Sequence, residues 1–308
     1  MFSCKNNKQV EAPIVVKETS SNTSLVILGN IQDAGSPHIG CEKECCENLF
    51  DNPNKNRLVI SLGLIDSENH KKYLFEATPD ISRQLKALKN IKPISENEMP
   101  DGIFITHAHI GHYTGLMYLG KEAVNARNVN VYAMPRMSDF LRDNGPWSQL
   151  VSSHNISLNR IESEQAITLT SNIKVTPIIV PHRDEYSETV GYKIIGPNKS
   201  ALFIPDIDKW EKWEKHIIKE IKQVDYAFLD ATFFSGKEID NRDISEIPHP
   251  FIIESMEKFK DLSKKEKAKI VFIHFNHTNP VIDPNSDESK MVIAKGFQLG
   301  RLNQSFEL

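Results

Sequence analysis

Long hydrophobic runs are missing from this chain. No segment reaches the ~18 consecutive apolar residues that a membrane-crossing helix needs, and no apolar signal core stands near Met1. An excess of one charge is missing as well. The 37 basic and 41 acidic residues are mixed along the chain and leave a net charge of −4. That balance argues against a nucleic-acid or anionic-membrane partner, which would call for a concentrated basic surface. The densest charge run, Lys258 to Lys269, reads as a solvated helix face. Cysteine is scarce: three of the four, Cys41, Cys45 and Cys46, fall within six residues. Such a cluster excludes a disulfide framework spread through the fold and fits a metal site better. What remains, 39% apolar and 25% charged residues over 308 positions, is the composition of a globular protein.

Residues 1–22 are polar and read as a flexible tail, followed by one domain over 23–308. The tail holds Cys4 in MFSCKNNKQVEAP, a small residue and a cysteine before a polar tether. Two readings stand. Cys4 is either the lipidated first residue of an envelope lipoprotein, tethering the protein to a membrane, or part of a cytoplasmic tail.

From residue 24 onward, strand and helix patterns alternate. SLVILGN (24–30), RLVISLGLI (57–65) and KYLFEAT (72–78) read as strands, and 80–90 as a helix with Asp80 as its cap. DGIFIT (101–106) is a short apolar strand, 115–126 has helical spacing, 128–134 is a strand and a helix follows near 136–144. The second half repeats the style, with strands in QAITLT, IKVTPIIV, TVGYKII and ALFIPD. An amphipathic helix over 208–223, strands at 225–231 and 269–275, and a helix around 250–262 complete it. Two halves of similar order predict two sheets packed face to face with helices outside.

The chemistry concentrates after the strand 101–106. His107, His109 and His112 lie within six residues at a strand-to-helix turn, where their imidazoles can converge on one ion. Three histidines so close cannot complete a site. Partners stand at the ends of other apolar strands: His182 after TPIIVP, Asp206 after ALFIP, and His274 within VFIHFNH.

The order HxHxxH, His, Asp, His resembles the metallo-β-lactamase superfamily over roughly residues 24–308. The resemblance implies an α/β fold, a four-layer αβ/βα sandwich, with metal at the sheets' edges. It assigns His107, His109 and His182 to a first metal, His112 and His274 to a second, and Asp206 as the bridge. The family usually carries Asp before the third histidine, where this chain has Gly111. Three possibilities follow: a weak or empty second site, a substitute such as His277 or Asp230, or water in the gap. Upstream, Gln32-Asp33-Ala34-Gly35-Ser36-Pro37 with Cys41 resembles pyrroloquinoline quinone biosynthesis protein B and its relatives. Asp230-Ala231-Thr232 and the run His274–Pro280 also resemble that group. Those proteins and the related cyclic phosphodiesterases often hold a structural zinc on clustered cysteines. The resemblance therefore implies an ion at Cys41, Cys45 and Cys46, with a histidine as fourth ligand. The spacing Cys-x3-Cys-Cys departs from the usual pattern and demands a bent backbone.

His249, in Ile247-Pro248-His249-Pro250, has three readings: proton donor to a leaving group, as in phosphodiesterase branches of the family, fourth ligand of the cysteine site, or a loop residue. The long polar segment Phe233–Pro248 before it reads as a flap. The expected function is metal-assisted hydrolysis of an ester-type bond (phosphodiester, lactam, lactone or thioester) in a small molecule or short peptide. Asp206 would orient the attacking water, with His249 or Asp230 as proton donor. Zinc is the first expectation at the metal positions, with iron or manganese as alternatives. Two other functions compete: iron-dependent oxidation, implied by the quinone-cofactor relatives, and a non-catalytic binding role, motivated by Gly111.

Overall fold

The computed structural model describes residues 22–239 and 243–308. The tail expected over 1–22, with Cys4, falls outside them except for Asn22.

Two seven-stranded sheets form the frame. The first contains β1 (Thr23–Gly29), β2 (Ser61–Asp66), β3 (Lys71–Phe75), β4 (Gly102–Phe104), β5 (Val129–Ala133) and β6 (Ile156–Arg160). The second contains β7 (Ile167–Thr168), β8 (Lys174–Ile179), β9 (Val190–Ile195), β10 (Ser200–Ile204), β11 (Tyr226–Asp230), β12 (Ile270–Ile273) and β13 (Gln298–Leu299). The last strand, β14 (Ser305–Glu307), returns to pair with β1 at the edge of the first sheet.

Side-chain alternation builds the layers. Along β1, Leu25 and Ile27 face the second sheet and join Phe75, Phe104, Tyr192, Phe203 and Phe228 in a core drawn from both sheets. Val26 and Leu28, one residue out of phase, pack with Leu85 and Leu88 of the helix Ile81–Ile91 on the outer side. On the far side, Leu202, Leu229 and Phe272 pack with Trp210, Ile221, Met256 and Phe259. The period-2 alternation of a strand thus serves two cores at once.

Strand direction decides where function sits. β1 and β3 are both antiparallel to β2, and β3, β4, β5 and β6 are mutually parallel. β8 and β10 are both antiparallel to β9, and β10, β11 and β12 are parallel. So β1, β3 and β4 share one direction in the first sheet, as do β8, β10, β11 and β12 in the second. Each group gathers its carboxyl ends at one edge, where α/β folds place their ligands.

Several local expectations need correction. Residues 115–126 form a 3-10 helix only over Thr114–Leu119, then a turn in which Asn125 takes a positive φ of 46°. The stretch 208–223 is not one helix. A 3-10 turn (Trp210–Lys212) and a short helix (Ile217–Lys222) are separated by extended backbone at Trp213 and His216. Two buried indoles break it: Trp210 Nε1 donates to Ser255 Oγ at 2.9 Å and Trp213 Nε1 to the Ile179 carbonyl at 2.9 Å. Tertiary packing overrides helical periodicity there. Asp80 does not cap its helix through its side chain, which instead accepts from the Val59 N–H at 2.9 Å. QAITLT contributes only the two-residue β7.

Candidate metal centre

Each candidate ligand follows the carboxyl end of a strand in these two groups. His107, His109 and His112 follow β4, His182 follows β8, Asp206 follows β10, and His274 follows β12. The histidine loop is held by the Ala108 N–H donating to Ser187 Oγ at 2.8 Å and the Val190 N–H donating to the Thr106 carbonyl at 3.2 Å.

Three donor sets share Asp206, one of them with Asp230, His249 and His274. One ligand atom each from His107, His109, His182 and Asp206 lies within 4.8 Å of the others, as does one each from Asp33, His112, Asp206 and His274. Asp206 Oδ2 is 3.4 Å from His107 Nε2 and 3.7 Å from His112 Nε2, while Oδ1 is 3.3 Å from His182 Nε2. The Asp206 carboxylate therefore stands between the sets. His109 lies at the rim, 3.4 Å from the exposed Glu185 carboxylate.

Surrounding groups orient the imidazoles. His107 Nδ1 is 2.9 Å from Thr106 Oγ1, so a proton assigned to Nδ1 leaves a lone pair on Nε2. The Thr232 hydroxyl donates to Asp230 Oδ1 at 2.7 Å and accepts from His274 Nδ1 at 2.8 Å, again freeing Nε2. His112 Nδ1 is 3.4 Å from Glu76 Oε1. Such outer partners set tautomer and ring orientation in metal sites. Glu76 and His274, both fully buried, take positive φ values of 75° and 65°. Left-handed backbone at such residues costs about 1–3 kcal/mol each and gathers at functional sites.

A cation fits this arrangement. His107 Nε2, both ring nitrogens of His182 and Asp206 Oδ1 are buried without a hydrogen-bond partner. Leaving a buried polar atom unpaired costs about 1–3 kcal/mol, and a metal bonded to these atoms removes that cost. The donor chemistry, imidazole with carboxylate, suits zinc, iron or manganese. The electrostatics agree. Burial, with the neighbouring His112, holds His107 well below the usual imidazole range, leaving it neutral and ready to ligate. Burial would raise the Asp206 carboxyl, but His182, His249 and His274 outweigh it and hold it well below the usual range.

His249 belongs to this centre and not to the cysteines. Its Nδ1 is 2.9 Å from Asp230 Oδ2, 3.1 Å from Asp206 Oδ1 and 3.1 Å from Thr232 Oγ1. Burial opposes its charge, yet Asp230 and Asp206 raise its pKa to about 10. The segment before it packs Ile239 and Ile247 with Phe251 into a small apolar cluster; residues 240–242 of the expected flap lie outside the described residues. Asp230 is likewise engaged with His249 and Thr232, and its carboxylate also lies within 4.8 Å of ligand atoms of Asp206, His249 and His274.

His277 does not fill the gap left by Gly111; it stands with Cys41, Cys45 and Cys46 in a separate set whose ligand atoms lie within 4.8 Å of one another. It, not His249, is the histidine placed to complete that set. The short helix Glu44–Glu47, entered from extended Lys43, is the bend that brings adjacent Cys45 and Cys46 to one point. Burial and the two neighbouring sulfurs push the Cys45 thiol up to about 12, which a bound cation would reverse.

Two residues at the His/Asp centre were not singled out from sequence. Glu76 ends β3 as Asp206 ends the β10 segment, a polar residue closing an apolar strand. Asp33 was read only as part of a motif. It approaches His112 Nε2 at 2.8 Å and His274 Nε2 at 3.2 Å with Oδ1.

Comparison with known proteins agrees with this geometry. The family model described as a β-lactamase superfamily domain matches residues 71–275. The coenzyme PQQ synthesis protein B of Nitrosococcus oceani is 22% identical over 302 residues, covering 89% of this chain and 96% of that protein. Its counterpart in Pseudomonas putida is 24% identical over 309 residues, covering 92% and 99%. Among solved structures, Zn(2+)-bound PqqB from Methylobacterium extorquens superposes with a TM-score of 0.75 at 20% identity, covering 92% of this chain and 100% of that one. A diphosphatase of the PhnP family reaches 0.67 at 22% identity, covering 93% and 97%. The paired sheets, the strand-end ligands and the matched model together show that the chain belongs to the metallo-β-lactamase superfamily, and that it resembles PqqB within it.

Proposed function

We propose that the protein is a metal-dependent hydrolase acting on an ester-type bond of a small molecule or short peptide. The observation that carries this reading is the convergence of His107, His109, His182 and Asp206 with buried, unpartnered donor atoms. Those four residues would hold the first ion, with zinc the first choice and iron or manganese as alternatives. When bound, the metal supplies Lewis acidity and lowers the pKa of its water from ~15.7 towards ~7.

The chain's own residues do the rest. Asp206, held ionised by its histidine neighbours, orients the attacking water. His249, with Nδ1 hydrogen-bonded to Asp230, presents Nε2 to the leaving group as a protonated acid. Asp230 stabilises the imidazolium and fixes its ring. Thr232 couples His249 to His274, so proton donor and ligand keep one geometry. A phosphodiester is the first bond to test, since this acid would protonate its alkoxide leaving group. The diphosphatase and tRNase Z among the structural neighbours share the fold.

A panel of phosphodiester, lactam, lactone and thioester substrates, with zinc, manganese or iron, tests the reading. Turnover abolished by chelation and restored by metal is expected. Oxygen consumption coupled to turnover of a peptide would instead establish oxidation of the kind the PQQ synthesis relatives invite, and no turnover with any substrate would favour a binding role.

A further inference from the structure

The segment HxHxxH carries Gly111 where the superfamily usually has a carboxylate, and a carboxylate from the loop after β1 stands beside it. We propose that Asp33, carried by the loop after β1, is a ligand of a second metal together with His112, His274 and Asp206. The proposal rests on the metal-hydrolase reading above and gives this chain a different construction of the site from the family's usual one.

Three observations carry it. First, Asp33 Oδ1 is within 2.8 Å of His112 Nε2 and 3.2 Å of His274 Nε2, and the four donor atoms lie within 4.8 Å of one another. Second, Asp33 fills the space that a side chain at 111 would take. A Cβ on Gly111 would stand 2.4 Å from Asp33 Cα, 2.7 Å from its Oδ1 and 2.8 Å from its Cβ. Contacts below 3 Å are not tolerated between such atoms, so a side chain at 111 and Asp33 in its present place exclude each other. Gly111 is therefore the complement of Asp33 and not a sign of lost function. Third, the loop is fixed where Asp33 needs it. The Gln32 N–H donates to the Phe275 carbonyl at 2.8 Å, the Phe275 N–H to the Asn30 carbonyl at 2.7 Å, and Asn276 Nδ2 to Gln32 Oε1 at 3.2 Å. These bonds tie the exit of β1 to the exit of β12, so Asp33 and His274 move as one. Further along, His38 stacks on His277 at 4.4 Å, joining the same two loops beside the cysteine set.

The competing role for Asp33 is a counter-ion to His112 and His274 with no metal contact. Metal content separates the two. Full-length protein, its Asp33→Asn variant and its Asp33→Ala variant are loaded with cobalt, and ions per chain are counted. Thiolate-to-cobalt absorption reports the cysteine ion separately. Asn keeps the volume of Asp, so the fold is expected to persist, and the Ala variant repeats the test without the amide. The expected result is two ions at the His/Asp centre of the wild type and one in each variant, with thiolate absorption unchanged. Affinity for the lost ion falls by more than the 10–100-fold typical of removing an outer-shell partner. Two retained ions in either variant, or a single His/Asp ion in the wild type, overturns the proposal while leaving the hydrolase reading intact. A wild type with no ion at this centre removes both.

Discussion

Restoring the superfamily's usual aspartate at position 111 should damage this protein. The Cβ of any residue there meets Asp33 Cα at 2.4 Å, a backbone atom that no rotamer change can move. Gly111 is itself buried. Overpacking of this kind costs about 1–3 kcal/mol, and at roughly 2–4 °C per kcal/mol for large domains the Gly111→Ala melting temperature falls by about 5 °C. Gly111→Asp adds a second carboxylate beside Asp33, a like-charge pair in a buried place, so its fall in metal-free protein exceeds that of Gly111→Ala. Circular dichroism melts of the chelated protein isolate the packing term, and metal counting of the loaded protein reads the displacement of Asp33. The reasoning is refuted if Gly111→Asp melts within 1 °C of wild type, a margin far inside the expected ~5 °C, and binds as many ions. In that case the β1 exit loop yields freely and Gly111 is no complement to Asp33.

Further outcomes follow from other residues. His249→Gln should slow hydrolysis of a phosphodiester with an alkoxide leaving group by about 10²–10⁴-fold, the usual contribution of a general acid. Against a p-nitrophenolate leaving group, which departs without a proton, the same variant should lose far less; equal losses on both substrates would assign His249 a different role. The thiol cluster predicts a structural ion: Cys41→Ser should release one cobalt with its thiolate absorption and lower the melting temperature, whereas an unchanged thiolate spectrum excludes Cys41 as a ligand. Glu238 supplies a pH dependence. Burial raises its carboxyl from the ordinary 4.5 to about 7, against the Ser235 and Phe234 N–H groups that it accepts from. The unfolded carboxyl then ionises first, so stability falls as pH rises from about 4.5 to 7 and is level on either side. Chemical denaturation across that window should show the slope in wild type and a flatter curve in Glu238→Gln; identical curves would place the titration elsewhere.

The frame of the site was legible in the sequence because its ligands obey one rule. His107, His182, Asp206 and His274 each close an apolar strand, and parallel strands bring such ends to one edge. Asp33 escaped because it lies four residues beyond Gly29, on a loop whose course depends on pairing with Phe275, 243 positions away by number (275 − 32) from Gln32. No local pattern encodes that contact. The one available signal was negative, a glycine where a carboxylate was due, which required a replacement somewhere without saying where. The 208–223 stretch failed for a related reason. Its periodicity is helical, but Trp210 and Trp213 each find a distant hydrogen-bond acceptor, and the backbone extends at Trp213 and His216, after the 3-10 turn. His249 could be placed among three roles by sequence and in one neighbourhood by structure, since only the fold brings Asp230 and Asp206 to its Nδ1.

The central claim, a metal held by His107, His109, His182 and Asp206, meets its most direct test in elemental analysis. Wild type, His107→Ala and Asp206→Ala are purified without added metal and their transition-metal content is measured per chain. The account predicts a stoichiometric ion in wild type beyond any held by the cysteines. It predicts loss of that ion in His107→Ala, and loss of all His/Asp-centre metal in Asp206→Ala, because Asp206 stands in every donor set of that centre. Metal content unchanged by either substitution would contradict it.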